Sequence, residues 1–178
     1  WLLGDWTEVC AWAPTLARDL ETEDVSAALV RFAGGAVATV LNSVLSPRQE
    51  TYLRVDFEQA TVEVSGLYEV TNDQWRGTAR PTDEPEERSR LEAAWGTIEE
   101  DTAATQATQI AEFYSDLHAH RPPLTTGRER RRTMEFITGL YKSAFTGTTV
   151  TPASITPDDP YYRRLSPEAS PGNREAGG

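Results

Sequence analysis

The chain has 178 residues, enough for one domain with a hydrophobic core, and its hydrophobic content of 38% is that of a globular rather than a disordered protein. Its formal net charge of −11 would repel a phosphate backbone, which argues against nucleic acid as a partner. No apolar run approaches the roughly 20 residues that span a bilayer, and a lone cysteine excludes an internal disulfide. We therefore expect a cytoplasmic protein with neither a nucleic-acid nor a membrane partner.

The first residues, "WLLGDW", look like the end of a helix. An apolar turn followed by Gly4 and Asp5 is typical of a helix C-terminus, because glycine readily adopts the left-handed conformation. No capping residue and no full helical turn precede Gly4. We expect the body of this helix to lie upstream of Trp1, and the chain to be part of a longer protein.

Residues 7–45 predict three β-strands. A short strand within 7–14 ends at Pro14, since proline cannot continue a central strand. Two β-prone runs, 25–33 and 36–45, flank Gly34-Gly35, a pair that accepts positive φ and predicts a hairpin. Both runs are apolar enough to be covered on both faces.

Residues 51–80 continue the strand pattern. Apolar and polar side chains alternate over 51–57, and Val62 and Val64 continue an inward face after a short turn. The segment 67–80 predicts one or two more strands around a turn at Asn72-Asp73. Sequential hairpins of this kind give an antiparallel or mixed sheet.

The next segments predict a loop and a helix. Residues 81–90 are charged and interrupted by proline, which indicates a surface loop whose far end docks through Trp95 and Ile98. A helix follows from about Thr105, because apolar side chains recur at helical spacing from Ile110 to Leu117. Prolines at 122 and 123 end it.

A second long helix begins at "TGRE", where Thr126 and Glu129 form a predicted capping box, and ends at Gly147. Residues 148–155 predict a final short strand. We assign 1–165 to a single domain and 166–178 to a flexible tail.

Together these elements predict an α+β fold, an open and mainly antiparallel sheet with helices on one face. The other face would then be uncovered, although the strands at 25–33 and 36–45 are too apolar for open water. We expect this face to bury itself against a second copy of the chain, as a dimer or tetramer.

The residues alone define no catalytic centre. The sequence contains no G-x-G-x-x-G turn, phosphate loop or G-x-S-x-G elbow. His118 and His120 are two apart at a helix end, so they cannot bind one metal from the same face, and no metal site is expected. Cys10 fits a buried packing role or a catalytic thiol. The basic run 127–132 fits a solvated helix face or a phosphate-binding patch.

The order of the segments nevertheless resembles a known domain. The hairpin "EDVSAALVRFAGGAVATVLNS", the strands "YLRVDFEQATVEV", the two helices within "QIAEFYSDLHAHRPPLTTGRERRRTMEFITGLYKSAFTGTTVT" and the end "ITPDDPYYRRL" appear in that order. They resemble the C-terminal domain of the glucose–fructose oxidoreductase, inositol dehydrogenase and rhizopine-catabolism (Gfo/Idh/MocA) family, from Trp1 to about Leu165.

The resemblance implies a role within a larger enzyme. Such enzymes pair an N-terminal domain that binds NAD or NADP with an α+β domain that forms part of the substrate pocket and makes oligomers. Their catalytic lysine, histidine and aspartate would lie upstream of Trp1, and Lys142 is not that lysine. The chain would then be the substrate-binding and oligomerisation domain of an oxidoreductase for a sugar, cyclitol or related hydroxylated substrate, with no catalytic residue of its own and no bound cofactor.

In relatives the loop that joins the second and third strands borders the substrate cleft, and the corresponding segment here is "LNSVLSPRQE". The resemblance therefore implies Asn42, Ser43, Arg48 and Gln49 as substrate-binding residues, and an ordinary surface turn is the alternative. The loop with Arg18 and Asp19 is a weaker candidate. A stand-alone, non-catalytic binding module with the same fold is the alternative to the oxidoreductase as a whole.

Overall fold

The computed structural model describes residues 2–82, 84–94, 100–124 and 126–166. Within these ranges, six strands and three α-helices follow one another: β1 (Trp6–Trp12), β2 (Val25–Phe32), β3 (Val37–Ser43), β4 (Thr51–Asp56), β5 (Ala60–Gly66), β6 (Arg76–Ala79), α1 (Pro85–Ala94), α2 (Gln106–His118) and α3 (Gly127–Thr146). Short 3₁₀ helices cover Asn72–Gln74, Pro152–Ser154 and Pro160–Tyr162. The α+β class is confirmed.

The chain forms two compact units, one of residues 1–46 and 125–178 and one of residues 47–124. Each unit contains its own antiparallel three-stranded sheet, with strand orders β1-β2-β3 and β4-β5-β6. Sequence analysis expected one open sheet, and the strands are antiparallel as expected but divided between two sheets.

The first unit contains the main hydrophobic core. Helix α3 packs on β1, and the buried side chains come from the sheet and from the segment after α3: Trp6, Val9, Ala11, Ala28, Val30 and Val150. The ring of Phe136 on α3 meets that of Trp6 edge-to-face with centroids 5.8 Å apart. This helix therefore covers one face of the sheet, as predicted.

The other face of the first sheet is exposed. Register places Cys10, Leu29 and Thr39 in one cross-strand row, on the face away from the buried residues Val9 and Val30. Leu29 is 52% exposed and Leu41, two residues beyond Thr39, is 74% exposed. Among the described residues, α3 covers one face of these strands, and the expected burial of the other face against a second copy stays a prediction.

Local signals at turns and helix ends are confirmed. Gly35 has a φ of +86° in the β2–β3 turn, where its N–H donates to Phe32 O at 2.9 Å. Thr126 Oγ1 accepts the N–H of Glu129 at the start of α3, and Gly147 ends that helix with a φ of +65°. Thr105 caps α2 in the same way as Thr126 caps α3.

Three features of the sequence interpretation need correction or fall outside the description. Residues 85–94 form a helix rather than a loop, and Pro85 occupies its first position, where the missing N–H costs nothing. The predicted final strand is reduced to a single bridge between Val9 and Val150, followed at once by a 3₁₀ helix. The predicted docking of Trp95 and Ile98 and the tail from residue 167 lie outside the described residues.

Few hydrophobic side chains are buried among the described residues of the second unit. Val64 on β5 is the one buried hydrophobic side chain among them. The apolar stripe of α2 is where sequence analysis expected it, but its members are between 44% and 57% exposed: Ile110, Phe113, Tyr114 and Leu117. None of the described helices is both long and apolar enough to cross a membrane.

Candidate functional site

The first unit contains a cavity of about 270 Å³ between its sheet and α3. The strands contribute Val40 and other apolar side chains, and α3 contributes Ile137 and Leu140 one turn apart. Four side chains bring polar groups to this wall: Glu23, Ser26, Asn42 and Tyr141. An apolar enclosure with a few placed polar groups is the usual form of a small-molecule site.

Tyr141 and Glu23 form the shortest polar contact of the cavity. The phenol O–H donates to Glu23 Oε1 at 2.6 Å, between residues 118 positions apart in the chain. That hydrogen bond, together with burial and the negative charge of Glu23, raises the pKa of Tyr141 to about 12. The phenol is therefore protonated, and a hydrogen-bond donor, throughout the physiological range.

Asp24, which follows Glu23 in the chain and does not line the cavity, closes the loop before β2. Its carboxylate is 2% exposed and accepts the backbone N–H groups of Leu16, Ala17 and Arg18 at 2.7 to 3.0 Å. Burial alone would raise the Asp24 pKa, but these three hydrogen bonds outweigh it and lower the pKa. The loop before β2 is thus closed on a charged carboxylate.

Asn42 and Ser43 belong to β3, but only Asn42 lines the cavity. Asn42 Nδ2 donates to Ser26 Oγ at 3.4 Å, across the β2–β3 pair. Ser43 Oγ accepts the N–H of Leu45 at 3.1 Å and so shapes the turn after β3. Of these two predicted residues, the structure places Asn42 with other polar groups of the site.

Arg48 and Gln49, the other two predicted residues, lie in the second unit, both exposed. Arg48 forms an ion pair with Glu50. In the first unit, the guanidinium of Arg18 donates to Val44 O at 2.8 Å, which ties the loop before β2 to the end of β3. Asp19 is exposed on that loop.

A second cavity, in the second unit, is less suited to a ligand. It lies along β6 and is bordered by Arg80 and Arg88. Both guanidinium groups are already engaged, Arg80 with Glu87 at 2.8 Å and Arg88 with Thr82 O at 2.5 Å. We therefore take the cavity beneath α3 as the candidate site.

Neither Tyr141 nor Glu23 was among the site residues predicted from the sequence. No local pattern links a carboxylate before β2 with a phenol near the end of the last helix. Among the described residues, no group of three or more His, Cys, Asp or Glu side chains could hold a metal. The ammonium of Lys142 donates to Ser154 O at 2.7 Å and to the Asp159 carboxylate.

Comparison with known proteins finds a family match for the first part of the chain. Residues 1–66 match the GFO/IDH/MocA C-terminal domain, so the resemblance found in the sequence is confirmed. These residues include all three strands of the first sheet together with Glu23, Ser26 and Asn42. No curated protein matches the sequence closely enough to carry an activity to it.

Solved structures share the fold over most of the chain. The WlbA dehydrogenase of Bordetella pertussis, in complex with NADH and UDP-GlcNAcA, is 24% identical over 89% of this chain, with a TM-score of 0.64. The Chromobacterium violaceum WlbA dehydrogenase, with the same ligands, is 25% identical over 89%, with a TM-score of 0.61. An Agrobacterium radiobacter oxidoreductase in complex with NAD⁺, L-tartaric acid and magnesium is 20% identical over 86%, with a TM-score of 0.59.

The chain spans less than half of each of these proteins, 42% of both WlbA dehydrogenases and 45% of the Agrobacterium radiobacter oxidoreductase.

Proposed function

We propose that this chain is the substrate-binding and oligomerisation domain of a NAD(P)-dependent oxidoreductase that acts on a sugar, cyclitol or related hydroxylated substrate. The observation that carries the proposal is the family match over residues 1–66, which covers the strands and three of the polar residues of the candidate cavity. The Bordetella pertussis relative was crystallised with NADH and UDP-GlcNAcA, a nicotinamide cofactor and a nucleotide sugar.

The cofactor and the reacting groups belong, in this proposal, to the rest of the parent protein. A dinucleotide needs a glycine-rich turn between a strand and a helix to approach its pyrophosphate closely, and the sequence has no G-x-G-x-x-G segment. The chain also spans only 42% of the WlbA dehydrogenases. NAD or NADP would therefore bind elsewhere, while this chain supplies the substrate contacts, with Asn42 the best placed of the four predicted residues.

A direct test compares the isolated chain with the parent protein. A fluorescence titration should find no NADH binding to the 178-residue chain and micromolar binding to the parent. Reading the coding sequence upstream of Trp1 should find a strand, a glycine-rich turn and a helix, together with a histidine and an aspartate close to Trp1. A start codon at that point would favour the stand-alone binding module and contradict the proposal.

The exposed face of the first sheet is proposed as the surface that binds a second copy of the chain. Leu29, Val37 and Leu41 are all more than half exposed there. The face also carries a balanced ion pair, with Arg31 and Glu8 3.6 Å apart, within a protein of net charge −11. A two-fold contact can exchange such a pair between copies, and an apolar, charge-balanced face is where like-charged molecules repel each other least.

Self-association is tested with one charged substitution and a matched control. Leu29→Glu places a carboxylate at the centre of the face and should convert the oligomer to a monomer in light scattering at micromolar concentration. Leu20→Glu makes the same change at a leucine that is 48% exposed on the loop before β2, and should leave the oligomer intact. A monomeric wild-type chain, or equal effects of both substitutions, would contradict this surface.

A further inference from the structure

The candidate cavity has an electrostatic character that bears on which substrates it accepts. Among the residues that the structure describes, its lining includes the carboxylate of Glu23 and no lysine, arginine or histidine. The remaining polar groups, from Ser26, Asn42 and Tyr141, are neutral hydrogen-bonding groups. A bound anion would therefore face a negative charge with no counterion from the lining.

The Glu23 carboxylate can also accept further hydrogen bonds from a ligand. Its Oε1 accepts the Tyr141 phenol at 2.6 Å, whereas a carboxylate offers about four lone-pair sites over its two oxygens. Since the pKa of Tyr141 is raised to about 12, the phenol stays neutral and keeps donating its hydrogen bond to Glu23. The Glu23 carboxylate, held by Tyr141, thus presents a fixed hydrogen-bond acceptor of the kind that binds a hydroxyl group.

The other walls suit a compact ring. A volume of about 270 Å³ is at the small end of the range for ligand sites, which suits a single sugar-sized ring. Val40, Ile137 and Leu140 line the cavity, so apolar surface is available for the C–H face of such a ring. Asn42 and Ser26, whose side chains lie 3.4 Å apart, offer both donors and acceptors for neighbouring hydroxyls.

We propose that Glu23 makes this cavity select an uncharged polyhydroxylated ring over a ring that carries a carboxylate. Glu23 is the specificity-determining residue, because it accepts a hydroxyl of the neutral ring and repels the anion. This inference rests on the proposed function, since it specifies the substrate class of the same site.

The test measures ligand affinity in the intact 178-residue chain by saturation-transfer NMR. Glucose and myo-inositol are the neutral probes, and glucuronate is the matched anion. We expect glucuronate to bind about tenfold more weakly than glucose, the factor typical of one unfavourable charged contact. Raising the salt concentration should strengthen glucuronate binding and leave glucose binding unchanged, because salt screens the repulsion.

Variants then assign the discrimination to one side chain. Glu23→Gln should reduce the preference for glucose over glucuronate to about twofold or less, through tighter glucuronate and weaker glucose binding. Glu21→Gln removes the same charge from an exposed position on the same loop and should retain the wild-type preference. If Glu23→Gln does not fold, the salt dependence of the wild-type chain decides the question by itself.

The failures of the two proposals are distinguishable. Glucuronate binding that equals glucose binding and is independent of salt would overturn the neutral-ring inference and leave the hydroxylated-substrate role in place. An unchanged preference in a folded Glu23→Gln variant would also overturn it. Binding of none of the three probes would contradict the substrate-binding role itself, and the inference with it.

Discussion

Gly139, in the middle of α3, is the position where the packing of the first unit makes its sharpest prediction. A Cβ atom at Gly139 would lie 2.8 Å from Cη2 of Trp6 and 3.3 Å from Cζ2. The indole is 8% exposed and is held edge-to-face by Phe136, so it cannot move away without disturbing the core. Gly139→Ala should therefore overpack the interface between α3 and β1.

Two opposing effects set the size of the change in the free energy of unfolding. Overpacking a close-packed core costs about 1–3 kcal/mol, while alanine in place of glycine in a helix interior gains about 1 kcal/mol. Gly139→Ala should lower the free energy of unfolding by about 1 kcal/mol. Gly127→Ala is the matched control, because a Cβ there meets no atom within 4 Å, and it should cause no loss.

A double-mutant cycle separates the clash from helix propensity. Trp6→Phe removes the part of the indole that the new methyl would meet, so Gly139→Ala in that background should become stabilising by about 1 kcal/mol. Urea denaturation followed by circular dichroism measures all four proteins, and the expected coupling energy is about 2 kcal/mol. A stabilising single substitution, or effects that add within about 0.5 kcal/mol, would refute the packing argument.

Two further predictions concern buried polar contacts. Ser143→Ala should lower the free energy of unfolding by about 2 kcal/mol, because Ser143 is fully buried and its Oγ accepts the N–H of Ala11 and donates to Thr148 O. Urea titration measures the loss, with the exposed helix variant Ser115→Ala as the control. Equal stabilities of the two variants would contradict this prediction. Burial opposes ionisation of Asp159, but the Lys142 ammonium and a backbone N–H lower its pKa below the ordinary 3.8. The contribution of the Asp159 carboxylate to stability is therefore present above about pH 4 and lost as the pH falls below that. Asp159→Asn should accordingly flatten the acid limb of a plot of Tm against pH, and an unchanged limb would exclude this role.

The features that sequence analysis predicted well depend on residues close together in the chain. The hairpin was predicted from Gly34-Gly35, and Gly35 does adopt positive φ. The start of α3 was predicted from Thr126 and its end from Gly147, and both ends are where expected. In each case the conformational preference of one or two residues decides the local structure.

The features that could not be predicted from the sequence depend on competing local preferences or on contacts between residues far apart in the chain. Pro85 was taken as part of a loop, yet it starts a helix, because proline is compatible with the first helical position and the following residues favour helix. The division of six strands into two sheets depends on which edges pair, and an alternating pattern does not specify that. The pairing of Glu23 with Tyr141, 118 residues apart, leaves no trace in any window of sequence.

The loop before β2 combines a local hydrogen-bonding arrangement with a contact to a residue far away in the chain. Asp24 satisfies three backbone N–H groups of its own loop, a local arrangement in which a short carboxylate replaces missing backbone partners. Because Glu23 is its neighbour in the chain, the same hydrogen bonds fix where the Glu23 carboxylate stands relative to Tyr141. The charge of the candidate cavity is thus positioned by a residue that does not line it. A change at Asp24 should consequently alter ligand preference in the same direction as a change at Glu23, even though every side chain of the cavity wall is retained.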